Sequence, residues 1–152
     1  MPFVFQIIDG GRGVLSVGAG TVVFDDLKEQ GLGLNALIAP LPPEQHPRYA
    51  LADLSAVESV QLSLPELMTM QDISARNAAL VPDLFLAIVA TRDDHLVFAT
   101  QWQVAMNRLS WKSAIFATRS LAEGWVQQRL QAQAQSQSPA ACGPDERTTN
   151  RE

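Results

Sequence analysis

Tyr49-Ala50-Leu51-Ala52-Asp53, Leu84-Phe85-Leu86-Ala87-Ile88-Val89-Ala90 and Ser113-Ala114-Ile115-Phe116 are three short apolar runs separated by segments of helical period. The middle run has no polar alternation, which suits a central strand covered on both faces. The first reads as a buried strand ending in a carboxylate, the third as a last short strand. Between the first two lies Ser63-Leu64-Pro65-Glu66, where the Ser63 hydroxyl can accept the Glu66 amide and the Glu66 carboxylate can reach back to the Ser63 amide. Proline is harmless in that first turn. This helix is predicted to run to about Ala79, with Pro82 blocking continuation. Between the second and third runs, Phe98, Trp102, Ala105, Met106 and Leu109 follow i, i+4, i+7, i+8, i+11 and share one face. Ser120-Leu121-Ala122-Glu123 repeats the capping pattern and opens a helix carrying Trp125, Val126 and Leu130. Strand and helix alternate in this way in an open α/β layer.

Working back toward the amino terminus, Phe3 to Asp9 and Val14-Leu15-Ser16-Val17 flank Gly10-Gly11-Arg12-Gly13 and predict an antiparallel hairpin. Thr21 is placed as a helix cap, Val23, Phe24 and Leu27 share a face, and Gly31 closes a short helix over about 22–30. Leu32 to Arg48 reads as the end of a helical stretch followed by an extended surface loop, because Pro40, Pro42, Pro43 and Pro47 fit neither a ladder nor a helix interior. Working forward, Gln131 to Ser138 alternates Gln with Ala or Ser, and Pro139 to Glu152 has little to bury. The expectation is an α/β domain over 1–130 and a polar, disordered tail over 131–152. Its fold class is a single-layer mixed β-sheet, an N-terminal antiparallel hairpin plus parallel strands, with helices packed on it.

The 152 residues are 47% apolar and 18% charged, an ordinary balance for one compact domain. A net charge of −5, with eleven scattered Lys and Arg residues, argues against nucleic acid as a partner. The lone Cys142 lies in the tail, so no intrachain disulfide or zinc cluster is expected. The apolar start meets Asp9 too early for a signal peptide, and no run is long enough to span a bilayer. A cytoplasmic location is the expectation.

Candidate chemistry is sparse. Gly10-Gly11-Arg12-Gly13 and Gly18-Ala19-Gly20 lack a P-loop lysine and a complete dinucleotide fingerprint, and read as turns. Asp53, followed by Ser55, is the candidate ligand-binding pair, since open α/β sheets carry functional groups at strand ends. The alternative is that Asp53 caps loop amides there. His46 and His95 read as solvated loop histidines without nucleophile partners. Asp93-Asp94 suits either a cation or a helix start. Trp102, Trp111 and Trp125 suit either ligand stacking or, for Trp102 on the apolar stripe, core packing. No catalytic residue, metal ligand or cofactor site is expected.

Ala52-Asp53-Leu54-Ser55-Ala56-Val57, Leu86-Ala87-Ile88-Val89-Ala90, His95-Leu96-Val97-Phe98 and the closing segment Ala114 to Val126 together resemble the SpoIIAA-like family, a branch near the STAS domains of anti-sigma-factor antagonists. The closing segment is similar to that family's terminal strand and helix, with Gly124 and Val126 where alanine and leucine are usual. Val14 to Leu27 matches its second strand and first helix. In the anti-sigma antagonists an Asp-Ser pair opens the helix after the central strand, and its serine is phosphorylated. This chain has Gln61-Leu62-Ser63 there, so the phospho-switch is not expected.

The resemblance implies a small mixed-sheet domain that binds a protein or an apolar small molecule. The leading expectation is a non-enzymatic regulatory or protein-interaction domain. The alternative is a carrier or sensor of a lipid-like or aromatic small molecule held between helices and sheet. Leu32 to Ala39 is more apolar than a surface connection needs, which predicts burial against the body or a homodimer contact.

Overall fold

The computed structural model describes residues 3–107 and 109–137. The strands are β1 (Phe3–Ile8), β2 (Gly13–Val23), β3 (Tyr49–Gln61), β4 (Phe85–Val89) and β5 (Lys112–Phe116), and they line up in the order β1-β2-β3-β4-β5. β1 and β2 are antiparallel, from Phe3 opposite Gly18 to Ile8 opposite Gly13. The other neighbours are parallel, with Gly13, Tyr49, Phe85 and Lys112 in register across the sheet. The helices are α1 (Phe24–Ile38), α2 (Leu64–Leu80), α3 (Asp93–Asn107) and α4 (Arg119–Gln137). The expected mixed sheet with helices packed on it is the observed fold.

Two cores lie on opposite faces of the sheet. On one, Ala50, Leu54, Leu86 and Ile88 pack with Leu27 and Ile38 of α1, Met70 and Ile73 of α2 and Ala99 of α3. On the other, Leu15, Leu51, Phe85, Ala87 and Val89 pack with Ala122, Val126 and Leu130 of α4. A strand between two apolar layers must be apolar throughout, and all five residues of β4 are buried. Trp125 meets Phe85 edge to face at 6.0 Å, and the Arg129 guanidinium lies 5.6 Å from its ring centre.

β3 is thirteen residues long, well beyond the run ending at Asp53. Its pairing to β4 does stop at Asp53, opposite Val89. Beyond that it pairs with β2 alone, forming a two-stranded arm to Val23 and Gln61. The register advances by an extra β3 residue between Asp53 and Ala56, and again between Val57 and Ser59. Such bulges break the inside-outside alternation, so Leu54 and Val57 both reach the core under α1–α3.

The first helix differs most from expectation. Thr21 lies in β2 opposite Ser59, and α1 begins at Phe24 with the Val23 N–H donating to Asp26 Oδ2 at 2.9 Å. Gly31 does not end it, because the residue marks a helix crossing. A Cβ there would lie 2.6 Å from Ile73 Cγ2. The helix therefore continues through the apolar stretch to Ile38, which is wholly buried, while Leu34 packs on the core and Leu32 and Leu37 stay exposed. The proline-rich loop follows it as expected.

At the other end, α4 runs to Gln137, seven residues past Leu130, so Gln131–Gln137 is helix rather than tail. Gln and Ala are adequate helix formers, and nothing in that stretch stops propagation. Its first-turn cap is the Thr118 hydroxyl, which accepts from the Leu121 N–H at 3.2 Å, in place of Ser120. Cys142 and the rest of the expected tail, like the side chains of Ala105 and Met106, lie outside the described residues. The Ser63 box forms as read, with Glu66 N–H donating to Ser63 Oγ at 3.3 Å and Ser63 N–H to Glu66 Oε1 at 2.9 Å. Among the described residues no helix is long and apolar enough to cross a membrane.

Candidate functional site

Asp53 points toward α4 from the last rung of the β3–β4 ladder and is only 7% exposed. Its Oδ1 accepts both the Ser55 N–H at 2.9 Å and the Ser55 hydroxyl at 2.6 Å. Arg119 Nη1 lies 3.6 Å from its Oδ2, and Nε of the same guanidinium lies 3.6 Å from Glu123 Oε2. The bulge at this point withdraws residues from the ladder, and the Asp53 carboxylate supplies the acceptor that Ser55 would otherwise lack. The candidate pair is thus adjacent in space, with its hydrogen bonds turned on itself.

Most other sequence candidates have structural partners. Gly10 and Gly11 take φ of 63° and 99° in a tight turn, a conformation that glycine adopts without strain. Asp93 and Asp94 open α3, where Asp94 Oδ1 accepts the His95 N–H at 3.0 Å and the Arg92 Nε–H at 3.2 Å. Trp111 is buried and donates Nε1–H to the Val81 carbonyl at 2.6 Å. His46 reaches the Leu41 carbonyl at 2.9 Å through Nε2.

His95 contradicts its reading as a solvated histidine. It is wholly buried, and its Nε2 lies 2.5 Å from the Val57 carbonyl. That carbonyl belongs to the β3 arm beyond the end of its pairing with β4, where that edge of β3 has no strand neighbour among the described residues. Nε2–H therefore donates, while Nδ1 has no partner among the described residues. The sequence does not signal this, because its apolar run stops at Asp53 and shows no strand edge beyond it for His95 to cover.

Two concave features were not legible in the sequence. The first is a groove of about 480 Å³ where the starts of α2 and α3 meet the β3 arm, lined by Leu62, Ser63, Leu67, Val97, Phe98 and Gln101 among others. Leu64 (70% exposed) and Val97 (61%) line it as well, and Met68 (58%) and Val104 (53%) project outward farther along the same helices. Leu64 and Met68 are four apart and Val97 and Val104 seven apart, so each helix shows an apolar stripe to solvent in addition to its core face. The second is a cavity of about 90 Å³ between the sheet and α1–α3. Its walls include Leu34, Leu54, Phe98 and Trp102, with Ser16, Gln30, Ser74 and Asn77 as the polar exceptions. Gln30 Nε2 donates to Ser16 Oγ at 2.6 Å, Asn35 Nδ2 to Asn77 Oδ1 at 3.1 Å, and Asn77 Nδ2 to the Gly31 carbonyl at 3.0 Å. Among the described residues no group of three or more His, Cys, Asp or Glu could hold a metal ion.

No protein-family model matches the chain, and no curated protein matches it in sequence. Solved structures do match. An uncharacterised DUF3478-family protein with a SpoIIAA-like fold from Shewanella loihica superposes with a TM-score of 0.56 at 15% identity, over 81% of this chain and 90% of that one. The anti-sigma factor antagonist SpoIIAA in its unphosphorylated form gives 0.50 at 10% identity, over 82% and 97%. An anti-sigma factor antagonist from Mycobacterium paratuberculosis gives 0.48 at 16% identity, over 82% and 94%. The strand order, the antiparallel first pair and the helices flanking a parallel sheet are thus those of a SpoIIAA-like α/β fold.

Proposed function

We propose that this chain is a non-enzymatic regulatory or protein-interaction domain that engages an apolar protein surface through the α2–α3 face, without a phospho-switch at Ser63. The observation that carries this reading is that Leu64 and Val97 line the groove and are more than half exposed, with Met68 and Val104 also more than half exposed one and two turns farther along the same two helices. Exposed apolar clusters of this kind mark interaction sites. SpoIIAA, a structural neighbour, is an anti-sigma factor antagonist. Ser63 serves as the cap of α2, and Gln61-Leu62 precede it where an Asp would accompany a switch serine. A photo-crosslinker at Met68 in cells tests the reading, with the exposed Gln128 of α4 as the control position. Met68 should give a discrete protein adduct that Val97→Glu removes. Equal adducts at both positions, or none at Met68, would count against it.

A second reading, favoured by the cavity beneath α1–α3, is a carrier or sensor of a lipid-like or aromatic small molecule. Native mass spectrometry of purified protein tests it, and a repeatedly empty chain would weigh against it. Asp53 and Ser55 remain proposed ligand contacts. A homodimer through Leu32 and Leu37 is likewise a proposal, which sedimentation at high concentration would remove by finding a monomer.

A further inference from the structure

We infer that the cavity beneath α1–α3 selects a small, electrically neutral molecule with an apolar body and a single hydrogen-bonding group, held by the Ser74 hydroxyl. The inference rests on the ligand-binding reading and narrows it by charge and size. Three observations lead to it.

The first is polarity. Of the residues lining the cavity, the polar ones are Ser16, Gln30, Ser74 and Asn77, and no Lys, Arg, His, Asp or Glu is among them. A carboxylate, phosphate or ammonium group entering there would be buried without a counter-charge, which is strongly unfavourable. Fatty acids and phosphorylated headgroups are disfavoured on this ground, as are amines.

The second is an unused hydroxyl. Ser16, Gln30 and Asn77 are already engaged. Ser74 is only 5% exposed and lines the same cavity, yet its side chain has no hydrogen-bond partner among the described residues. A helical serine readily bonds the carbonyl one turn back, as Thr69 does to the Pro65 carbonyl at 3.1 Å. Its Oγ is not sealed from solvent, because among the described residues His95 Nδ1 is the one fully buried polar side-chain atom without a partner, so a ligand oxygen or N–H would take the place of water on it.

The third is volume. An engineered apolar cavity of about 150 Å³ accepts benzene. The present cavity of about 90 Å³ therefore has room for an apolar body of about four non-hydrogen atoms without movement of the helices. An alkyl chain of lipid length, or an aromatic ring, would enter it only if the helices moved apart.

Protein-observed NMR titration of the full chain with 1-butanol, butyrate, n-butylammonium and xenon tests the proposal. 1-Butanol should shift the Ser74 and Asn77 amides saturably, with both charged congeners at least about a hundredfold weaker. Ser74→Ala should weaken 1-butanol about fivefold, the worth of one ordinary hydrogen bond, and leave xenon binding unchanged. Ala52→Val, which adds two methyl groups to the wall, should weaken both. Butyrate or n-butylammonium binding within tenfold of 1-butanol would overturn the neutral-ligand claim and leave the ligand reading standing. Xenon uptake with no 1-butanol response, or with no effect of Ser74→Ala on 1-butanol, would overturn the role of Ser74. If neither xenon nor 1-butanol entered the wild-type protein, the ligand reading would fall and this inference with it.

Discussion

Replacing Asp53 separates a structural carboxylate from a functional one. Asp53→Ala removes the acceptor of two Ser55 hydrogen bonds, of 2.9 and 2.6 Å, and leaves a partly buried N–H at a bulge. Losing a charged acceptor shared by two partly buried hydrogen bonds costs about 2–3 kcal/mol. The Arg119 pair adds little, because at 3.6 Å with a 43%-exposed guanidinium it is a solvent-screened contact worth about 0–1 kcal/mol. The total is about 3 kcal/mol, or a fall in Tm of about 6–12 °C for a domain of this size. Asp53→Asn keeps one oxygen facing Ser55 and should cost only about 1 kcal/mol. Urea denaturation followed by circular dichroism measures both, and a shifted midpoint at constant m isolates stability from changes in compactness. If Asp53→Ala shifted stability by less than about 0.5 kcal/mol, the carboxylate would not be holding the bulge, and its burial beside Arg119 would call for a ligand or a reaction instead.

Three further outcomes are expected. Gly31→Ala drives a methyl group to within 2.6 Å of Ile73 Cγ2; overpacking of this kind should cost about 1–3 kcal/mol in urea titrations, and Ile73→Ala in the same chain should recover part of it through a non-additive double-mutant cycle. Burial, then the neighbouring Asp9 carboxylate, push the Tyr49 phenol up to about 12, so the folded state favours the neutral ring; that contribution is complete below pH 10 and lost between pH 10 and 12, on the order of 2 kcal/mol, and Tyr49→Phe should flatten this alkaline decline. Ser63→Ala should lower Tm by about 2–4 °C, as removal of a helix cap does, and a Tm unchanged in scanning calorimetry would contradict the capping role.

What the sequence disclosed followed from how local each signal was. The Ser63–Glu66 box is made within one turn, so spacing alone specified it. β4 has no polar residue, so its burial on both faces was legible before any neighbour was known. The length of α1 was not, because Gly31 reads as a stop until Ile73 is seen lying against it from α2. His95 was misread for a related reason. Its polarity suggested solvent, whereas a carbonyl 38 residues away on an unpaired strand edge holds it in the core. The cavity and the groove arise from gaps between elements, which no periodicity encodes. Asp53 and Ser55 were identified as neighbours, but the bulge that turns them toward each other depends on the pairing of β3 with β2.

The most direct test of the proposed function is the affinity of the partner captured at Met68 for three forms of the chain, measured by calorimetry: wild type, Val97→Glu and Ser63→Asp. Burying an unpaired carboxylate in an apolar contact should weaken Val97→Glu by at least tenfold. The carboxylate of Ser63→Asp, although it borders the groove, stays paired with the Glu66 N–H at the helix start, so that variant should bind within about twofold of wild type. Loss of binding by Ser63→Asp with Val97→Glu unaffected would contradict the account, replacing an apolar docking face with a charge-controlled switch at the head of α2.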